Sequence, residues 1–247
     1  MTEAPRLYNS VAPLRNVTAL VTLIHQVNER APGLPGMATF YGYSGYGKTT
    51  AAIYAANKFN AVHVEVKECW TGRTLCQEIL GELSLDVKGT IADMVKAIAQ
   101  ELMFSERVLI VDDAQYLVRK GTIGIVRDIY ESSGSTIIMI GEESLPQSLQ
   151  KWENIHGRQL DWVAALPACM ADVDHLAKLY CPNLTLDQAF KELLLKASLH
   201  SIRRVVINLA SVAEFAVTRG IKQIDPDAWG DQPFFSSTAP KVRRELA

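Results

Sequence analysis

The sequence contains no long apolar segment. The apolar stretch at residues 205–217 is interrupted by Asn208, Ser211 and Glu214, and no stretch reaches the roughly 18 to 20 residues that span a bilayer. Residues 1–15 also lack the apolar core of a secretion signal. We therefore expect no membrane partner and a cytoplasmic location.

Cysteine is scarce, and the numbers of basic and acidic residues are nearly equal. The four cysteines show no C-x-x-C spacing and the five histidines are scattered, which favours reduced, structural thiols. The net charge is −2, from 25 basic and 27 acidic residues. Bulk charge therefore gives no support for nucleic-acid binding, and any such site needs a local basic patch.

Residues 42–49 carry the pattern G-x-x-x-x-G-K-[ST] between a strand-like run and a helix-like run. This order is typical of a phosphate-binding loop, in which backbone N–H groups and a helix N-terminus surround a phosphate. Lys48 is predicted to reach the β- and γ-phosphates, and the Thr49 hydroxyl to bind Mg²⁺. The alternative is a glycine-rich turn that matches by chance. The predicted nucleotide-binding residues are Gly42, Ser44, Gly45, Tyr46, Gly47, Lys48, Thr49 and Thr50.

Two carboxylates follow the apolar run at residues 108–111. Asp112 is predicted to hold Mg²⁺, and Asp113 to polarise the attacking water. Many ATPases carry a Glu at the position of Asp113. Because Asp is one methylene shorter, it would position the attacking water less well, and we expect slow turnover. The alternative is that the two aspartates only end a strand in a turn.

The guanine signature N-K-x-D is absent, because residues 57–60 read N-K-F-N. ATP with Mg²⁺ is therefore the predicted cofactor, and the predicted enzyme is an ATPase.

Apolar periodicity predicts an α/β fold with a five-stranded parallel sheet between helices, followed by a small all-helical lid. Strands are predicted at residues 37–41, 61–66, 108–111, 136–140 and 159–165. Core helices are predicted at residues 14–30, 48–59, 71–83, 90–104, 115–130 and 145–152, and lid helices at residues 170–180, 186–198 and 202–218. The predicted divisions are an N-terminal segment and helix (1–36), the nucleotide-binding core (37–167), the helical lid (168–229) and a flexible tail (230–247).

Three arginines are candidates for contact with the nucleotide. Arg158 precedes the fifth strand and is predicted to enter the site of a neighbouring subunit, where it would stabilise transition-state charge. The alternative, to which the sequence gives similar weight, is that Arg158 is an ordinary surface arginine. Arg203 and Arg204 begin the last lid helix, and one of them is predicted to contact the γ-phosphate.

Together these motifs resemble those of AAA+ ATPases. The resemblance rests on the phosphate loop, Asp112-Asp113-Ala114-Gln115, the arginine before strand five, and the helix that opens Ile202-Arg203-Arg204. Residues 64–67, 71–74, 89–90 and 139–145 are similar to one branch, the transposition regulators: the B protein of Mu-like phages and the TniB and TnsC ATPases. A bacterial or phage-infected host cell is implied. One departure is that Gly141-Glu142 stands where the family usually carries a polar Asn or Thr sensor.

The resemblance implies an ATP-dependent homo-oligomer or helical filament around double-stranded DNA, which selects transposition target DNA and activates a transposase. Contacts would be mostly to phosphates and little dependent on sequence. The first candidates for DNA contact are Lys67, Thr71 and Arg73, and the second are Arg119 and Lys120. Each could instead be a solvated surface residue.

Two alternatives stay open: a protein-remodelling or secretion ATPase of the ExeA type, and a helicase loader. At the C-terminus, Phe234-Phe235 and the basic residues Lys241, Arg243 and Arg244 could dock a partner. Packing of the two aromatic rings on the lid is the favoured interpretation.

Overall fold

The computed structural model describes residue 11 and residues 13–237. The chain divides into two compact units, Met1–Leu166 and Pro167–Ala247. The first unit contains α1 (Arg15–Asn28), β1 (Met37–Tyr41), α2 (Lys48–Phe59), β2 (Val62–Glu65), α3 (Gly72–Glu82), α4 (Ile91–Ser105), β3 (Leu109–Asp112), α5 (Gln115–Arg119), α6 (Gly124–Ser133), β4 (Ile137–Gly141), α7 (Leu145–Gln150), α8 (Glu153–His156) and β5 (Gln159–Ala164).

The five strands of the first unit form one parallel sheet in the order β2-β3-β4-β1-β5. Strands β1, β3 and β4 lie inside the sheet, and all but one of their residues are buried. This burial explains their nearly continuous apolar sequence, since helices cover both faces of such a sheet. Because all strands are parallel, their carboxyl ends meet at one edge, where the loops after β1, β3 and β4 come together.

Several helices carry the local signals that the sequence shows. The Thr71 side chain accepts a hydrogen bond from the Thr74 backbone N–H at the start of α3. Thr90 and Asp93 form a capping box at the start of α4. Satisfied N–H groups of this kind stabilise a helix terminus by about 1 kcal/mol. Both helices therefore begin close to their predicted starts.

The prediction of one helix over residues 115–130 is wrong. The segment forms α5 and α6, separated by a turn in which Gly121 has a φ of 70°. This left-handed conformation ends the helix, and the Thr122 N–H then bonds to the Leu117 carbonyl at 2.9 Å. The predicted helix at residues 145–152 is likewise divided, into α7 and α8.

The second unit is mainly helical but contains a small sheet. Its elements are α9 (Met170–Tyr180), β6 (Thr185–Leu186), α10 (Gln188–Ala197), α11 (Ile202–Arg219), β7 (Gln223–Ile224) and α12 (Pro226–Trp229). The two-residue strands β6 and β7 pair in parallel. The lid is therefore not all-helical, in contrast to the prediction from the sequence. Neither strand was predicted, because two residues are too few to produce an alternating pattern in the sequence.

Part of the predicted flexible tail is packed against this unit. The rings of Trp229 and Phe234 stack with centroids 5.2 Å apart. The Phe235 N–H donates to Oδ1 of the buried Asn208 at 2.7 Å. The prediction of a loosely held tail is therefore wrong for residues 230–237, where the aromatic pair belongs to the lid. Lys241, Arg243 and Arg244 lie outside the described residues.

Across the described residues, no helix combines the length and the apolar character needed to cross a membrane.

Candidate nucleotide-binding site

The loop between β1 and α2 has the backbone that a phosphate-binding loop requires. Gly45 and Gly47 have φ angles of 85° and 82°, a left-handed conformation that side-chain-bearing residues rarely adopt. Gly47 is also the N-cap of α2, and it supplies no side chain to cap the helix. The first turn of α2 contains Lys48, Thr49 and Thr50, so the predicted binding residues are continuous along the loop and the helix N-terminus.

Two contacts fix this loop to the rest of the unit. A Cβ on Gly42 would lie 2.9 Å from the Ala165 Cβ, so only glycine allows this approach. The buried side chain of Asn16, on α1, donates from Nδ2 to the carbonyls of Tyr46 and Leu166, both at 2.8 Å. The sequence signal for Asn16 is a polar residue at the spacing of the buried, apolar face of α1. Asn16 was not predicted as part of the site from the sequence.

The Lys48 ammonium lies over the phosphate loop. Its Nζ donates to the Gly42 carbonyl at 2.7 Å and to the Tyr43 carbonyl at 3.0 Å. Both acceptors belong to the loop that is predicted to surround the phosphates. The ammonium is therefore held at the position where anionic oxygens would be bound.

Asp112 supplies a buried carboxylate at the end of β3. The residue is 1% exposed, its Oδ1 accepts the Asp113 N–H at 2.9 Å, and its Oδ2 has no hydrogen-bond partner among the described residues. Burial raises the pKa of the Asp112 carboxyl, and the Thr49 hydroxyl, which faces the carboxylate without a regular hydrogen bond, partly opposes this effect. A buried acceptor without a partner costs about 1–3 kcal/mol. The carboxylate and hydroxyl oxygens are the ligands that Mg²⁺ prefers, so the pair fits this cation.

His63, which was not predicted from the sequence, is a half-buried residue that places a second buried polar atom, Nε2, near Asp112. It lies on β2 on the same face as Glu65, and Glu65 is the register partner of Asp112. Its Nε2 has no hydrogen-bond partner among the described residues. Burial lowers the pKa of the imidazole, and the nearby carboxylates, Asp112 foremost, oppose this shift. A polar residue inside an apolar strand is the sequence signal that could have identified it.

Asp113 directly follows β3 and has a φ of 54°. The buried Gln115 donates from Nε2 to Asp113 Oδ1 at 3.0 Å, and its Oε1 accepts the Glu142 N–H at 3.3 Å. The Glu142 side chain points elsewhere, since its Oε2 accepts a hydrogen bond from Arg119 at 2.8 Å. The structure thus places Asp113 beside Asp112, and it adds Gln115 to the set.

Arg158 lies at the far end of the sheet from the phosphate loop. Its carbonyl accepts the N–H of Met37, the first residue of β1, at 3.1 Å, whereas Gly42 follows the last residue of the same strand. The length of β1 separates them by about 15 Å. The Arg158 guanidinium forms an ion pair with Glu131, and both side chains are partly exposed. It is therefore not part of the nucleotide site of its own subunit.

The two sets of DNA-contact candidates lie next to each other. Lys120, at the end of α5, donates from Nζ to the Trp70 carbonyl at 3.2 Å, just before Thr71. Arg73 donates to the Gly89 carbonyl at 3.1 Å. Lys67 forms an ion pair with Glu65, and this hydrogen bond raises the pKa of Lys67.

These residues, together with Arg119, define a surface that we call the basic rim: Lys67, Arg73, Arg119 and Lys120. Two of its four cations, Lys67 and Arg119, are ion-paired within the chain, to Glu65 and Glu142. The carboxylates offset part of the positive charge, so the basic rim is a mixed surface.

Arg203 and Arg204 belong to the second unit, in the first turn of α11. Arg203 is exposed, and the Arg204 Nε donates to the Ser237 hydroxyl at 3.0 Å. Contact of either residue with the γ-phosphate stays a prediction.

The five-stranded parallel sheet, the phosphate loop and the helical C-terminal part define the P-loop fold of AAA+ proteins. Residues 33–149 match the family model described as AAA domain. No curated protein sequence matches the chain significantly.

Solved structures of several proteins share this fold. The Orc1 protein of Aeropyrum pernix, solved in complex with DNA, has a TM-score of 0.65 and 14% identity over 91% of this chain. The RuvB Holliday junction branch migration motor of Thermotoga maritima has a TM-score of 0.58 and 16% identity over 86% of this chain. The chain spans 65% of that Orc1 chain and 66% of that RuvB chain.

Domain III of the replication initiation protein DnaA from Thermotoga maritima is similar over most of its own length. Its TM-score is 0.57 and its identity 14%, with 92% of this chain and 95% of that chain covered. At such identities these likenesses establish the fold.

Proposed function

We propose that this protein binds ATP with Mg²⁺ at the phosphate loop and hydrolyses it to ADP and phosphate. The observation that carries the proposal is the buried Asp112 carboxylate, which faces the Thr49 hydroxyl and whose Oδ2 accepts no regular hydrogen bond from the described part of the chain. Such a pair beside a phosphate loop is suited to a cation that is shared with a nucleotide. The ammonium of Lys48, already held over the loop, supplies the positive charge for the phosphates.

The residues of the chain divide the work of hydrolysis. Thr49 and Asp112 would hold Mg²⁺, which when bound neutralises charge that develops on the phosphates. Asp113 would accept a proton from the attacking water. Its carboxylate sits on a short side chain directly after β3, which supports slow turnover.

Arg158 supports a site that is completed between subunits. It is remote from the phosphate loop of its own chain, and the ion pair that it forms with Glu131 is partly exposed. Such a pair is worth about 0–1 kcal/mol, so it breaks readily in favour of a phosphate. The proposed active form is therefore a homo-oligomer, with hydrolysis stimulated by assembly.

We further propose that the assembled protein binds double-stranded DNA through the basic rim. The adjacency of the two candidate sets, through the Lys120 contact with the Trp70 carbonyl, supports one continuous surface. The Orc1 structure in complex with DNA and the RuvB branch migration motor share the fold, and they lend support to a DNA role. Selection of transposition target DNA and activation of a transposase are the finer form of the proposal, and they rest on the sequence resemblance. A helicase loader or an ExeA-type remodelling ATPase is the alternative.

Binding of purified protein to duplex and single-stranded DNA, with ATP, with ADP and without nucleotide, tests the proposal. We expect tight binding of duplex DNA with ATP only, and weakening as salt is raised. No duplex binding at low salt under any nucleotide condition would remove the DNA role. A clear preference for single strands would favour the loader, and ATP turnover without any DNA binding would favour a remodelling ATPase.

A further inference from the structure

Gln115 links the two strand ends of the nucleotide site. It is 5% exposed, which is unusual for a glutamine at the start of a helix. Its Nε2 donates to Asp113 Oδ1, after β3, and its Oε1 accepts the Glu142 N–H, after β4. A carboxylate only accepts and a backbone N–H only donates, so these partners also fix which way the amide faces.

The glycine at the end of β4 is matched to this amide. A Cβ on Gly141 would lie 2.6 Å from Gln115 Oε1 and 2.6 Å from Leu145 Cδ2. The Gln115 carboxamide therefore occupies the space in which a side chain at position 141 would lie. Gly141 has no polar side chain to place here, and Gln115, which follows the neighbouring strand β3, supplies one.

The same position is joined to the phosphate loop. The Gly141 carbonyl accepts the Gly42 N–H at 3.2 Å, and the Ala114 N–H bonds to the Ile140 carbonyl at 2.9 Å. The first residue of the phosphate loop, the end of β4 and Asp113 are thus connected within one hydrogen-bonded group. A shift of Gln115 would change where the Asp113 carboxylate lies relative to the loop.

We propose that Gln115 is a positioning residue for ATP hydrolysis, which holds the Asp113 carboxylate in place through Oδ1 and leaves its other oxygen to accept the proton of the attacking water. This inference rests on the proposed function, because without hydrolysis Gln115 has no reaction to support. Asp113 has a left-handed backbone and a short side chain, so its carboxylate position depends on such a contact.

The test is ATP turnover and ATP affinity, measured separately, in Gln115→Met and in Gly141→Ala. Methionine keeps the length of glutamine and removes the hydrogen-bond donor. Alanine at position 141 instead displaces the Gln115 amide without a substitution at Gln115 or Asp113. We expect kcat to fall about 10–100-fold in each variant, with the Kd of ATP within twofold of wild type. Gly81→Ala is the matched control, because its added Cβ meets nothing within 4 Å.

A rescue variant separates positioning from a merely structural role. In Gln115→Ala combined with Gly141→Asn, the asparagine amide enters the space that the glutamine left. We expect this double variant to recover turnover relative to Gln115→Ala alone. Wild-type turnover in Gln115→Met and Gly141→Ala, or a failure of the double variant to recover any turnover, would overturn the assignment of Gln115. Absence of ATP binding or turnover in the wild-type protein would instead overturn the proposed function.

Discussion

Polar groups at the nucleotide site and cations on the surface differ in whether they have a partner within the described part of the chain. At the site, Asp112 Oδ2 and His63 Nε2 are buried and have no hydrogen-bond partner among the described residues. On the surface, Lys67, Arg119 and Arg158 are partly exposed, and each forms an ion pair with a carboxylate of the same chain. The two buried atoms thus have no partner within the described part of the chain, whereas each of the three surface cations has one.

This difference shows which features point to a ligand. An unpartnered buried acceptor costs about 1–3 kcal/mol, so it is retained where a bound group compensates for it. A surface ion pair stabilises the fold by about 0–1 kcal/mol, so its presence neither creates a binding surface nor prevents one. The nucleotide site can therefore be argued from a single chain, whereas the surface cations need an assembled or DNA-bound state to be tested.

The largest expected effect concerns Arg158, the surface cation that is proposed to act in a neighbouring subunit. In Arg158→Ala we expect ATP turnover of the assembled protein to fall about 10³-fold, with ATP affinity unchanged, because the residue is remote from the loop of its own chain. Steady-state phosphate release at saturating ATP measures this.

Two controls isolate the role of Arg158. Glu131→Gln breaks the same ion pair and keeps the arginine, so turnover should be preserved. Arg127→Ala removes another partly exposed, paired arginine and should have little effect. Normal turnover in Arg158→Ala would show that Arg158 has no role in hydrolysis and is an ordinary surface cation.

The basic rim has the next largest expected effect. Replacing Lys67 and Arg73 together by alanine should weaken duplex DNA binding about tenfold and lower the slope of log K against log salt by about 2, one for each lost phosphate contact. Fluorescence anisotropy over a salt series measures both quantities. Lys58→Ala serves as the control, since Lys58 is an exposed cation at the far end of α2 from the phosphate loop. An unchanged salt slope in the double variant would exclude Lys67 and Arg73 as phosphate contacts.

The smallest expected effect is on stability, and its sign is the informative part. The pKa of Asp112 is raised in the folded protein above its ordinary value of 3.8. The stability that this carboxyl contributes is therefore present below pH 3.8 and is lost as the pH rises through the folded pKa. Without Mg²⁺ at pH 7, Asp112→Asn should thus stabilise the protein by about 1 kcal/mol, or about 2–4 °C in Tm.

Thermal unfolding in EDTA at several pH values checks this sign. The gain from Asp112→Asn should shrink as the pH is lowered toward 4, because the wild-type carboxyl then takes up a proton. Asp86→Asn is the surface control, because Asp86 is exposed and lies in a loop. A lower Tm for Asp112→Asn at pH 7 would mean that the carboxylate already has its partners in the free protein.

The sequence was informative wherever local chemistry sets the structure. The glycines of the phosphate loop, the apolar strand before Asp112 and the hydroxyl caps of α3 and α4 all predicted features that the structure contains. These signals depend on residues that are close together in the chain.

The sequence was least informative where contacts join distant segments. The bond of Asn16 to the Leu166 carbonyl spans 150 residues, and that of Gln115 to the Glu142 N–H spans 27. No local pattern specifies such pairs, since they depend on the order of strands in the sheet. The break between α5 and α6 at Gly121 was missed for another reason, because the apolar spacing continues across it.

The most direct test of the central claim is ATP binding by wild-type protein and by Lys48→Ala, measured by calorimetry with and without Mg²⁺. Lys48 directly follows the glycines of the phosphate loop, and its ammonium donates to the Gly42 and Tyr43 carbonyls of that loop. We predict Mg²⁺-dependent binding by the wild type and a loss of at least about 100-fold in affinity, about 2.7 kcal/mol, in Lys48→Ala. Equal affinities in the two proteins would contradict the assignment of residues 42–49 as the nucleotide site.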